Sequence, residues 1–164
     1  MDMATLPYAD LLGNQDPLAV LSETPRRLHA LRELLGDSGL NAPWAPGKWT
    51  GAQIFSHLAD CEIAFGFRYR QVLAEDNHSV QTFDQDAWAK QYPLSSDLAL
   101  QAFSALRGWN LALLRKAAEG SFSKPVSHPE RGKLTLGNLI QIAAGHDLNH
   151  LRQIDKLASQ RPLA

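Results

Sequence analysis

Apolar positions recur at helical spacing through four long segments, and no useful stretch alternates at strand spacing. Asp16-Pro17 reads as a helix cap followed by proline at the first helical position. Leu18, Leu21, Leu28, Leu31 and Leu35 then keep one face as far as Gly36, with a kink expected at Pro25. Pro43 and Pro46 mark residues 41–47 as a loop, and Thr50 caps a second helix. On it Ile54, Leu58, Cys61, Phe65, Arg68 and Val72 fall on one face, and the pattern fades at residues 75–77. A long polar connection, 76–94, carries Trp88, Tyr92 and Pro93. Ser95 or Ser96 caps a third helix, with Leu98, Ala102, Leu106, Trp109 and Leu113 as its expected apolar face, ending at Gly120. Residues 121–133 read as a loop, and Thr135 starts a fourth helix that runs to Ser159. Residues 1–16 read as an irregular lead-in. The expected fold is one all-α domain over residues 1–164: a four-helix bundle with a long crossover between helices 2 and 3 that lets them run parallel.

The fourth helix carries the chemistry. Leu139, Ala143, His146, His150, Gln153 and Leu157 step by four and three, so two histidines replace aliphatic residues on a core stripe. Four residues apart, they lie one turn above the other on the same face. A buried imidazole left without partners costs about 1–3 kcal/mol. Two readings satisfy the pair: ordinary hydrogen bonds to core groups, or a shared metal ion bound through one nitrogen of each ring. His57, at the edge of the second helix's apolar face, can lean toward them and complete a three-histidine site. Three neutral ligands leave coordination positions open, as in sites that take water or substrate. The H-E-x-x-H pattern of metalloproteases is not met, because Asp147 follows His146.

Composition adds exclusions. Sixteen basic and 17 acidic residues give a net charge of −1, without the basic stripe of a nucleic-acid binder. No apolar run is long enough for a membrane span and no signal peptide is visible, so a cytoplasmic protein is expected. The single cysteine, Cys61, fits a reducing compartment.

The segments Pro46-Gly47-Lys48-Trp49-Thr50, Ile54 to Glu62, Gly132 to Leu136 and Gly145 to Ile154, with Thr24-Pro25 and Arg68, resemble the DinB/YfiT-like metalloproteins. The resemblance spans residues 17–158. It implies a bundle with a crossover between the second and third helices, one divalent metal ion (nickel or zinc) on His57, His146 and His150, and a homodimer. It also implies small-molecule chemistry, since members include isomerases using mycothiol and transferases using bacillithiol, and others are described as hydrolases.

Around the histidines several residues carry two readings. Cys61 is a fourth ligand or a small core residue. Asp60 is an acceptor that orients an imidazole or an exposed carboxylate. Asp147 and Asn149 face helix contacts or solvent. Arg68 holds a substrate carboxylate or pairs with Glu62 or another acid. His128 is an exposed loop residue or reaches the metal mouth. Trp49, Trp88 and Tyr92 line a pocket or seal the core. Four functions follow: a metal-dependent transferase or isomerase using a low-molecular-weight thiol cosubstrate, a metal-dependent hydrolase, a non-catalytic metal-binding stress-response dimer, or a bundle with hydrogen-bonded core histidines and no metal.

Overall fold

The computed structural model describes residues 6–76, 78–91 and 95–160. A short helix, α1 (Ala9–Leu12), precedes the long helices α2 (Pro17–Leu40) and α3 (Gly51–Ala74). The crossover contains a short helix, α4 (Gln85–Trp88), and leads to α5 (Ser96–Lys116). A 3-10 turn over Glu119–Ser123 and two strands, β1 (Pro125–His128) and β2 (Gly132–Thr135), lead into α6 (Leu136–Ser159).

Local chemistry sets the boundaries. The Asp16 side chain accepts from the Leu18 amide at 3.0 Å, ahead of Pro17. Thr50 and Gln53 at the start of α3, and Thr135 and Asn138 at the start of α6, form reciprocal capping pairs. The two helices that carry His57, His146 and His150 therefore both start at a reciprocally capped end.

Two apolar clusters fill the bundle. One gathers Val20 and Leu21 of α2, Cys61 to Val72 of α3, Leu111 and Leu114 of α5, and Leu136 to Ala144 of α6. The other gathers Leu28 to Leu35, Ile54 to Ala59, Ala99 to Phe103, and Leu151 to Leu157. Followed from N- to C-terminus, α2 and α6 run from the first cluster to the second, while α3 and α5 run from the second to the first. The successive helices α3 and α5 are thus parallel, which requires the long crossover between them. α3 packs against α5 and α6, and α2 against the same two, so α2 and α3 face each other across the diagonal.

A polar layer crosses all four helices between the two clusters. Arg107 of α5 is its hub: its Nη1 donates to Asp147 Oδ2 at 2.7 Å and its Nη2 to Glu62 Oε1 at 2.8 Å. All three side chains are only 2–3% exposed. Asn110 donates to Glu62 Oε2 at 3.0 Å. Arg107 Nη1 also donates to the Leu21 carbonyl of α2 at 2.8 Å. That carbonyl is free because Pro25, four residues on, has no N–H to give it. Burial works against the Arg107 charge, but Asp147 and Glu62 more than offset it and raise its pKa.

Several expectations are corrected. The interruption of the first helix falls at Gly36, with φ 60° and ψ −177°, while Pro25 sits inside the helix, which continues to Leu40. Residues 1–16 are not wholly irregular, since Leu6 and Leu12 are buried and α1 packs on α6. Residues 121–133 are not simply a loop, because β1 and β2 pair antiparallel with Val126 opposite Leu134. The third helix buries a different face. Leu98 and Trp109 are 67% and 68% exposed, and Ala99, Leu100, Phe103, Arg107, Asn110, Leu111 and Leu114 point inward. The inward face carries Arg107 and Asn110, so an apolar pattern alone misplaces it.

Candidate metal centre

His57 lies on α3 where that helix meets α6, which supplies His146 and His150. His146 Nε2 lies 3.0 Å from His57 Nε2 and 3.0 Å from His150 Nε2. One nitrogen from each ring falls within a common radius that suits a single ion. Trp49, in the loop before α3, packs edge-on to His57 at 4.9 Å and stacks on His150 at 6.5 Å with planes 8° apart. Tyr8 meets the His146 ring edge-on at 5.9 Å. Its close approach depends on Gly145, where a Cβ would lie 2.7 Å from Tyr8 Cβ.

The rings are held neutral. Burial, with the nearby His150, pushes the His57 pKa down to about 3. Burial and the neighbouring His150, His57 and Arg107 push His146 well below its usual value. Burial also lowers His150, against the opposing pull of Gln153 and Asp147. Neutral imidazole is the form that binds metal.

Hydrogen bonding among the rings cannot satisfy all three. Gln153 Oε1 lies 3.0 Å from His150 Nδ1, so that nitrogen carries the proton and His150 Nε2 keeps its lone pair. His146 Nε2 carries one lone pair or one proton, yet it faces two nitrogens. One of the two 3.0 Å contacts is therefore left without a proton between them. A cation accepts all three lone pairs at once. A tetrahedral ion with bonds of about 2.0–2.1 Å sets its ligand nitrogens roughly 3.3 Å apart, close to the spacing found. The donor set fits a divalent metal.

The rings open onto a cavity of about 870 Å³ that also touches Trp49, Cys61, Arg68 and His128. Cys61 is buried, with Sγ 3.5 Å from His57 Nε2, but it lies outside the compact three-nitrogen group. Burial, followed by the charges of Asp147, Glu62 and Asp60, raises its pKa, so the thiol stays protonated. Arg68 does not pair with Glu62, which Arg107 takes. Its Nη2 donates to the Gln81 carbonyl at 2.8 Å. His128 is not an exposed loop residue: it sits on β1, 8% exposed, with Nδ1 accepting from the Glu130 amide at 3.2 Å. Asp60 is buried rather than exposed on the helix surface, and Asp147 is buried against Arg107. Trp88 lies against Phe83 at 4.6 Å, and Tyr92 falls outside the described residues. Gln153 was readable only as a seam position; its bond to His150 appears once the rotamers are known. Arg107 gave no sequence signal, because its acids come from two other helices.

A family profile described as the DinB superfamily matches residues 21–154. The chain belongs to the DinB superfamily. It is 31% identical over 147 residues to a Bacillus subtilis protein named "Putative metal-dependent hydrolase YfiT", covering 86% of this chain and 82% of that one. A Geobacillus kaustophilus protein with the same hydrolase designation is 30% identical over 154 residues, covering 90% and 85%. The solved structure of YfiT, described as having an unusual four-helix bundle topology, superposes with a TM-score of 0.81 at 28% identity, over 88% of this chain and 85% of that one. This superfamily member is therefore a four-helix bundle, and its three clustered histidines form a group that could hold a metal ion. No described helix is long and apolar enough to cross a membrane.

Proposed function

We propose that this chain is a metal-dependent enzyme that transfers or isomerises small electrophiles with the help of a low-molecular-weight thiol. The observation that carries the reading is the set of three neutral imidazoles opening onto a cavity of about 870 Å³. His57, His146 and His150 would hold zinc or nickel and leave coordination positions facing that space. When bound, such an ion supplies Lewis acidity that lowers the pKa of a thiol or of water beside it. Gln153 fixes the His150 tautomer, and Trp49 walls two of the rings from solvent. Glu62 and Asp147 do not serve as bases, since Arg107 engages both. A thiol ionised in place needs no such base, and this favours thiol chemistry over reactions that must deprotonate a weaker acid.

Hydrolysis is the second reading. The relatives' designation supports it, and His128 lies on the cavity wall, where burial and the charges of Arg131 and Arg68 lower its pKa. One experiment separates the two. Zinc- and nickel-loaded protein is mixed with chlorodinitrobenzene and, in turn, glutathione, cysteine and an amino-sugar thiol, and separately with an ester and amide panel. In the first reaction a carbon–sulfur bond forms, chloride leaves and the thiol proton goes to solvent. Metal-dependent conjugation with any thiol is expected. Thiol-independent ester or amide turnover selects the second reading, and metal-dependent turnover of neither kind overturns both.

A further inference from the structure

Arg68 is a partly buried cation that forms no ion pair with an acid among the described residues. Its guanidinium lies over the Phe65 ring, 5.5 Å from the centroid, and among the described residues makes one hydrogen bond, to a main-chain carbonyl of the crossover. That occupies one of five N–H donors. Charged side chains at such positions ordinarily face a partner. Among the described residues no ion pair joins Arg68 to a carboxylate. Arg107 holds Glu62, Asp84 accepts from the Asp86 and Ala87 amides at 3.0 Å, and Glu130 pairs with Arg131 at 3.0 Å.

A second cation stands on the same wall. Arg131, just ahead of β2, lies with Nη1 3.4 Å from His128 Nε2 and lines the cavity beside Arg68. Burial chiefly, with a smaller push from the charge of Arg131, lowers the Arg68 pKa against the opposing pull of Cys61, Tyr69 and Glu130. A like-charged pair drawn partly out of water on a cavity wall gains most from an anion placed between its members. Arg68 follows His57 by eleven residues, about 16 Å along the helix axis, so its backbone is set about three turns from that of the ligand candidate while both side chains line one cavity.

We propose that Arg68 and Arg131 form an anion subsite that takes a carboxylate group of the small molecule held in the cavity. Two cations, one already shared with Glu130, match a planar monoanion better than a phosphate dianion, and the guanidinium fork fits a carboxylate through two parallel bonds. The subsite deepens the reading above by adding an acidic group to the substrate or cosubstrate. It uses none of the three imidazoles, so it stands or falls separately from the metal centre.

The test is calorimetric titration of the chelator-treated and the zinc-loaded full chain with succinate, with succinamide as the uncharged control. Succinate is expected to bind both forms and succinamide neither. Arg68→Met is expected to weaken succinate at least about tenfold, Arg68→Lys to lose less, and Arg131→Met to weaken it as well. Retained helical circular dichroism and zinc stoichiometry check that the variants fold, and Arg131→Met serves alone should Arg68→Met not fold. Equal affinity in wild type and the methionine variants, or no succinate binding at all, overturns the subsite. Binding seen only with zinc and unchanged by Arg68→Met assigns the carboxylate to the ion and overturns it too. Arginine-dependent binding in a chain that takes no zinc would sink the metal reading and leave the subsite standing.

Discussion

Truncating Arg107 to methionine tests whether the polar layer holds the two ligand helices together. Methionine keeps much of the stem and removes the guanidinium. Glu62 on α3 and Asp147 on α6, each 3% exposed, then lose their cation, and the Leu21 carbonyl loses its donor. Breaking a buried ion pair from one side costs about 3–5 kcal/mol, a large part of the roughly 5–15 kcal/mol that holds a domain folded. For a domain of this size that loss lowers Tm by roughly 6–20 °C. Adding Glu62→Gln and Asp147→Asn to Arg107→Met removes every charge of the layer and is expected to recover at least half of the loss. Urea unfolding of the metal-free chain, followed by circular dichroism, measures each variant. A single-variant loss below about 1 kcal/mol, or a triple variant weaker than the single, would refute the role given to this layer.

Gln153→Leu removes the acceptor on His150 Nδ1, and zinc affinity, read by competition with a chromophoric chelator, is expected to fall about 10–100-fold. The metal-free chain should lose stability in acid. A histidine at about 3 when folded and 6.5 when unfolded takes up its proton first in the unfolded chain, so stability is full above 6.5 and lost as pH falls toward 3. For His57 alone this amounts to on the order of 4–5 kcal/mol, and a flat urea midpoint between pH 7 and pH 4 would contradict it. Proline inside a helix ordinarily costs about 3 kcal/mol against alanine, but Arg107 already occupies the carbonyl that Pro25 leaves free. Pro25→Ala is therefore expected to gain under about 1 kcal/mol, and thermal melts that show the full gain would remove the Pro25–Arg107 link.

The four long helices, the caps at Asp16, Thr50 and Thr135, and the parallel crossover were legible because each rests on local chemistry or on a long apolar period, whereas the four-residue helices α1 and α4 were too short to register. The histidine seam was legible for the same reason: polar residues on an otherwise aliphatic stripe stand out. The buried face of α5 was not, since Arg107 and Asn110 look solvent-facing until Glu62 and Asp147 are brought to them from other helices. The hairpin escaped notice because its strands are four residues each, too short for alternation to register. His128 and Arg68 could be named as candidates from sequence, yet only the fold sets both on one cavity wall.

The packing of Tyr8 onto Gly145 roofs a ligand ring with a segment from the opposite end of the sequence. During synthesis the roof emerges first, His57 next, and His146 only 89 residues after that. No nascent fragment that lacks α6 can present more than one of the three imidazoles, so a ribosome-bound chain has no grip on the ion. Loading is thus deferred to a finished fold.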